Sequence, residues 1–239
     1  MSRLRALING CSFSRGPLAW PYFLDTVDQT NIVNLACAGA GNTYIHETTV
    51  NAVAQRNYDI VLVMWSGIER VDLKISHPEV FGLSTCTSRY QRRQNDWLEK
   101  ITTPFDDQQL VESDWIFGAG HYNGDAVMHE SGVFDGIYRY QEQPQFRYGL
   151  LQKIIALQNT LKNIDVPYVF MFYQNYISEL HLDQHLCKLV DWNNCFVDDN
   201  IYDIATTNNW FDHDGFHPGI DANQLWAEKL DNFIKEKYA

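Results

Sequence analysis

The chain has 239 residues, 45% of them hydrophobic, and a formal net charge of −12. That length fits one α/β domain carrying an insertion, with enough apolar residues for a sizeable core. The charge disfavours nucleic acids and anionic membranes, which are bound through clustered Lys and Arg; the one tight basic cluster, Arg89, Arg92 and Arg93, reads as a solvated face.

In chain order, "RALIN" (5–9) is a short apolar strand. "PLAWPYFLDTVDQ" follows with helix-like spacing at Trp20, Phe23, Leu24 and Val27. "NIVNLA" (31–36) is a second strand and "NTYIHETTVNAVAQR" (42–56) a helix. "YDIVLVMW" (58–65) is the clearest strand, and its unbroken apolar character predicts cover on both faces, as in a parallel sheet. From about 66 to 145 the alternation stops, in a stretch rich in Trp, Tyr, Asp, Gly and Arg. This reads as a large insertion with short helices, because a structureless loop of that length is improbable in a compact domain. A helix returns at 146–164, then a buried strand at 166–173, a helix at 177–190, a last strand at 194–198 and a closing helix at 223–238. The expectation is a three-layer α/β/α sandwich of flavodoxin-like type. It has a parallel five-stranded sheet, spans 1–239 as a single domain, and carries its insertion after the third strand.

Functional groups of open parallel sheets collect beyond the C-terminal strand ends. "GCS" (10–12), "AGAGNT" (38–43) and "WSGIERVD" (65–72) lie there, and "FDHDGFHPG" (211–219) sits just before the last helix. Asp214 and His217 are three apart around a glycine. A carboxylate on one imidazole nitrogen fixes the tautomer and leaves the other nitrogen to act as a base. Ser12, after the first strand, is the hydroxyl such a base needs. An isolated D-x-x-H is more often a pair of surface loop residues; the placement of the serine and of the loop changes that balance.

With these residues in this order, the chain resembles the SGNH hydrolases, the GDSL-type serine esterases. The resemblance implies Ser12 as nucleophile, His217 as base and Asp214 as its orienter. It implies an oxyanion hole from the N–H groups of Ser12 and Gly41, with no cofactor and no metal. The likeness spans the chain apart from the insertion, with two departures. Cys11 stands where the family has aspartate before the serine. Ile68 stands where the third block has asparagine, and isoleucine donates no hydrogen bond. Losing one such donor typically slows turnover about 100- to 1000-fold. Asn42, Ser66 and Arg70 are the residues that could compensate. Arg70, Asp72 and Trp65 are also candidate substrate contacts, while Arg70 and Asp72 could equally pair with each other.

The function implied is hydrolysis of a carboxylic ester, on a small molecule or a carbohydrate, through an acyl-serine intermediate. The alternatives are a non-catalytic carbohydrate-binding or assembly protein on the same scaffold, and acyl transfer to an alcohol. Cys11 as a thiol nucleophile is a minor reading, since free cysteine is usually packed. A cation held by Asp212, Asp214 and His217 is the best metal reading but leaves Ser12 unexplained. His181 and His185 read as surface histidines. Trp97, Trp115, Tyr122, Tyr138 and Tyr140 form either the insertion's own small core or a pocket lining. Five cysteines without regular spacing argue against a disulfide framework. No apolar run reaches the roughly 20 residues of a membrane span, and the N-terminus does not read as a signal peptide. Reduced thiols fit a cytoplasmic setting, and the chain also resembles SGNH-like proteins encoded by tailed phages, which implies a phage-associated one. Oligomeric state is not legible in the sequence.

Overall fold

The computed structural model describes residues 3–75, 114–118, 137 and 143–238. Five strands form one parallel sheet: β1 (Ala6–Asn9), β2 (Val33–Asn34), β3 (Ile60–Trp65), β6 (Tyr168–Phe172) and β7 (Cys195–Phe196). Their order is β2-β1-β3-β6-β7. This is the flavodoxin-like arrangement, whose order reverses between β1 and β3. After β3 the chain leaves the sheet into an antiparallel ladder of β4 (Val71–Ile75) and β5 (Asp114–Gly118). That ladder is the described base of the insertion; Trp97, Tyr122, Tyr138, Tyr140 and the arginine cluster lie outside the described residues.

The β3 sequence shows why its apolar run is unbroken. Successive side chains of a strand point to opposite faces. Val61, Val63 and Trp65 enter one core with α1 (Asn42–Gln55) and α2 (Gln143–Asn163). Ile60, Leu62 and Met64 enter the other with α5 (Ile201–Asn208) and α6 (Ile220–Tyr238). Trp226 is the large anchor of this second core, with its ring 5.2 Å from Trp20 and 5.7 Å from Phe196.

Three local readings change. The segment after Gly16 is not a helix but a short 3₁₀ turn at Trp20–Phe23. Its neighbours are held by α6 instead: Trp20 N–H donates to Asn223 Oδ1, and Thr26 donates twice to Asp231 Oδ1. The predicted helix 177–190 is two single turns, α3 (Ile177–Leu180) and α4 (Gln184–Cys187). The backbone shifts to i−3 bonding at Leu182 and Asp183, and the Asp183 carboxylate then caps α4 at Leu186 N–H. Helix α5 is additional. Asn200 caps it at Asp203 N–H (2.8 Å), and Asn209 ends it with a left-handed φ of 53°.

The end of β1 is fixed by a buried amide. Asn9 Nδ2 lies 3.0 Å from Ile45 O, 2.8 Å from Thr48 Oγ1 and 2.9 Å from Thr49 Oγ1, while Oδ1 accepts Gly10 N–H. It ties α1 to the strand that delivers Ser12. Asn9→Ala strands these groups without water and is expected to cost about 2–3 kcal/mol, read as a shifted urea midpoint at unchanged m-value.

Candidate active site

Ser12 opens a 3₁₀ turn (Ser12–Ser14) directly beyond β1 and is partly exposed. Its neighbours do the packing. Cys11 is fully buried in the core facing α6, so its thiol offers no accessible nucleophile; Phe13 is also buried. The Phe13 ring lies 5.4 Å from the His217 ring, and Phe216 meets the same imidazole edge-on at 5.3 Å.

His217 comes from a tight loop before α6. Phe211 bridges Pro218, and Asp212 N–H donates to His217 O. The turn passes through Gly215, whose φ of 71° strains any L side chain. Asp214 holds the loop with one oxygen and orients the histidine with the other. Oδ1 accepts the N–H groups of Phe216 and His217, each at 2.9 Å, and Oδ2 lies 2.5 Å from His217 Nδ1. Burial opposes charge on Asp214, but the bonds from His217 and Phe216 override it and hold the carboxyl down at about 2. It is therefore ionised at neutral pH and only accepts. In the neutral imidazole the hydrogen then sits on Nδ1, and Nε2 presents its lone pair. That nitrogen is 2.9 Å from Ser12 Oγ. The structure thus brings residues 12, 214 and 217 together across 205 positions of sequence.

The residues around them depart from expectation. Gly41 does not present a free N–H: it donates to Asp72 Oδ1 at 2.6 Å, while Tyr44 N–H donates to Asp72 Oδ2 at 2.9 Å. Asp72, on β4, caps the N-terminus of α1 with 7% of its surface exposed. Burial pushes its carboxyl up to about 6, against the opposing pull of the Tyr44, Gly41 and Thr43 N–H groups and of Arg70. Asn42 is committed elsewhere, since its Oδ1 accepts Ser66 N–H and its Nδ2 donates to Gly67 O. Ser66 is fully buried and its hydroxyl has no partner among the described residues. Trp65, a candidate substrate contact, is fully buried with its ring 5.6 Å from Phe170. It is core because β3 is covered on both faces through its last residue. Ile68 is buried beside it.

Arg70 is half-buried, its guanidinium 3.3 Å from Ala40 O and 6.0 Å from the Tyr173 ring centre. Tyr173, which follows β6 and packs its ring tilted against Phe13 at 4.7 Å, is a neighbour the sequence reading passed over. Its signal was a hydroxyl-bearing ring at the C-terminal end of a buried strand. Asp212 turns to His213 (2.8 Å) rather than toward Asp214 and His217, and His181 packs on Trp192. Among the described residues no three His, Cys, Asp or Glu side chains are grouped to hold a metal ion, and no helix is long and apolar enough to cross a membrane. Trp115 packs on Tyr44 at 5.5 Å, so this insertion aromatic joins the main core.

No family model matches the chain, and no curated protein matches it. Among solved structures it is similar to the psychrotrophic esterase EstA from Pseudoalteromonas sp., in a structure inhibited by monoethylphosphonate. The likeness is one of fold. The TM-score is 0.50 over 97% of this chain and 96% of that one, at 12% identity. The α/β fold built on the parallel five-stranded sheet is consistent with that of the esterase.

Proposed function

We propose that this protein is a serine esterase of the SGNH type. The observation that carries the reading is the relay from Asp214 Oδ2 through His217 to Ser12 Oγ. Ser12 Oγ attacks the ester carbonyl carbon as its proton passes to His217 Nε2. The resulting imidazolium, stabilised by Asp214, gives that proton to the departing alcohol as the C–O bond breaks. Water, deprotonated by the same nitrogen, then attacks the acyl-serine and releases the acid, restoring the hydroxyl. The chemistry calls for no cofactor or metal.

Stabilisation of the oxyanion is the weak element. Ser12 opens its turn, so the turn itself does not satisfy its N–H, the donor this reading assigns to the developing charge. The Gly41 N–H and the Asn42 amide are occupied in this arrangement. A hole short of donors predicts slow turnover, about 100- to 1000-fold lower for each one missing. The same observation favours a second reading, a carbohydrate-binding or assembly protein that keeps the scaffold without turnover.

A fluorophosphonate probe separates the two. The phosphorus atom takes the place of the ester carbonyl, and only an activated hydroxyl attacks it. EstA, the fold relative, is itself described as inhibited by a phosphonate. The wild-type chain is expected to gain one covalent phosphonyl group on Ser12, seen by intact mass and peptide mapping, and Ser12→Ala none. A wild type that stays unlabelled would return the protein to the binding class.

A further inference from the structure

Beside Ser12 there is a second group of polar side chains that the hydrolytic relay does not use. Three neighbouring strands deliver it. Ser12 follows β1, Gly67 and Arg70 follow β3, and Tyr173 and Tyr176 follow β6. Gly67 marks the centre of the group. A Cβ built there would lie 3.5 Å from Tyr176 Oη, 3.6 Å from Tyr173 Oη and 3.6 Å from Arg70 Cγ. Two phenol oxygens and the aliphatic stem of Arg70 thus border a spot where the chain supplies no side chain, with the guanidinium carried on over the Tyr173 ring.

The chemistry of the group is that of a donor cluster. Tyr176 Oη–H donates to Tyr173 Oη at 2.7 Å and has Gln174 Oε1 at 3.2 Å as a second acceptor, which leaves the Tyr173 hydroxyl hydrogen as the donor the pair offers. Burial raises the pKa of both phenols, which keeps them protonated. Arg70 has no ion pair among the described residues: its one hydrogen bond is to Ala40 O, and the Tyr173 ring lies beneath the guanidinium. Asp72 shares its field, but both Asp72 oxygens already accept backbone N–H groups. Among the described residues, most of the five guanidinium N–H donors are therefore uncommitted. The way to the relay is short, through Tyr173 on Phe13 and Phe13 on His217.

We propose that Arg70, Tyr173 and Tyr176 form a subsite that binds a carboxylate carried by the ester substrate. The planar guanidinium fork matches a carboxylate in two parallel bonds, and the phenol pair adds a neutral donor. A carboxylate is favoured over a phosphate because each additional negative charge is repelled by a chain of net charge −12. The subsite rests on the esterase reading, since it assigns a substrate class to that site.

The test compares mono-4-nitrophenyl succinate with 4-nitrophenyl butyrate, which have the same acyl length and leaving group but differ in the terminal carboxylate. In the full chain, Arg70→Gln is expected to reduce kcat/KM for the succinate ester about ten-fold or more beyond its loss on the butyrate ester, consistent with a lost charge-assisted bidentate contact. Arg70→Lys is expected to recover part of that difference, having the charge without the fork. Tyr176→Phe should shift the ratio in the same direction by a smaller factor. A second readout needs no catalysis: calorimetric binding of monomethyl succinate to Ser12→Ala, set against dimethyl succinate and against Ser12→Ala/Arg70→Gln. Binding that requires both the free carboxylate and Arg70 supports the subsite even if no ester is hydrolysed, an outcome that would overturn only the catalytic reading. Hydrolysis with equal losses on the two esters, or binding indifferent to Arg70, overturns the subsite and leaves the esterase standing.

Discussion

His217→Ala is expected to lower kcat for ester hydrolysis by about 10⁴-fold or to the rate in buffer, and Ser12→Ala/His217→Ala to lower it no further. The reason is geometric. At 2.9 Å, His217 Nε2 is the proton acceptor beside Ser12 Oγ, and without it the hydroxyl is a poor nucleophile at neutral pH. Two groups serving one proton transfer lose their effect together, so their losses do not multiply. Asp214→Asn is the finer probe. The amide retains an oxygen for the Phe216 and His217 N–H groups, so the loop closed through Gly215 persists. Its NH₂, however, faces Nδ1 as a donor. That shifts the imidazole hydrogen to Nε2, where it meets Ser12 Oγ with the wrong polarity. A loss of about 10³–10⁴ in kcat at little change in thermal midpoint is expected. Stopped assays on 4-nitrophenyl acetate read both variants. Multiplicative losses in the double variant, or full activity in Asp214→Asn, would separate the three side chains into independent groups.

How much of this was legible in the sequence depended on how local each cause is. The β3 strand was readable because burial on both faces leaves a contiguous apolar run, and α6 because its apolar face repeats at helical spacing. The juxtaposition of residues 12, 214 and 217 followed from topology: a parallel sheet places the ends of β1 and β3 at the point where strand order reverses, and the loop before the closing helix reaches it. The engagement of Gly41 was not legible. Its partner Asp72 is 31 residues away and arrives on a ladder outside the main sheet. A separation of 24 and 25 residues likewise hid the role of Asn42, whose side chain is drawn to the backbone just beyond β3. Trp65 was misplaced because a strand-end aromatic looks alike in sequence whether it turns to solvent or into the core. Helix α5 was readable in principle, from a capping Asn200 three residues before Asp203 and the spacing of Ile201, Ile204 and Ala205. Its short length and the polar residues around it masked that signal.

Asp72 gives the second large effect, on stability and with a definite sign. Its carboxyl ordinarily titrates near 3.8 and is pushed up to about 6 in the fold, chiefly by burial. A raised folded-state value means that the native state holds the proton more tightly than the unfolded chain. Relative to a neutral replacement, the contribution of Asp72 is fully present below about pH 4 and is lost as pH rises through about 6. Roughly two pH units at 1.36 kcal/mol each make the swing about 3 kcal/mol. The side chain is almost wholly buried, so solvent screening takes little from that figure. Asp72→Asn provides the reference. Its difference in unfolding free energy from wild type, measured by urea titration at steps from pH 4 to 8, cancels every other titrating group. Wild type is expected to lose ground to the variant by that amount across the window. The variant also pays a fixed cost at all pH values, because an amide offers one oxygen where Gly41 and Tyr44 N–H each require an acceptor. A difference flat with pH would mean that those bonds and the start of α1 offset the burial of the charge completely. A difference running the other way would mean that they exceed it, making ionised Asp72 a net stabiliser of the helix end on which Gly41 stands.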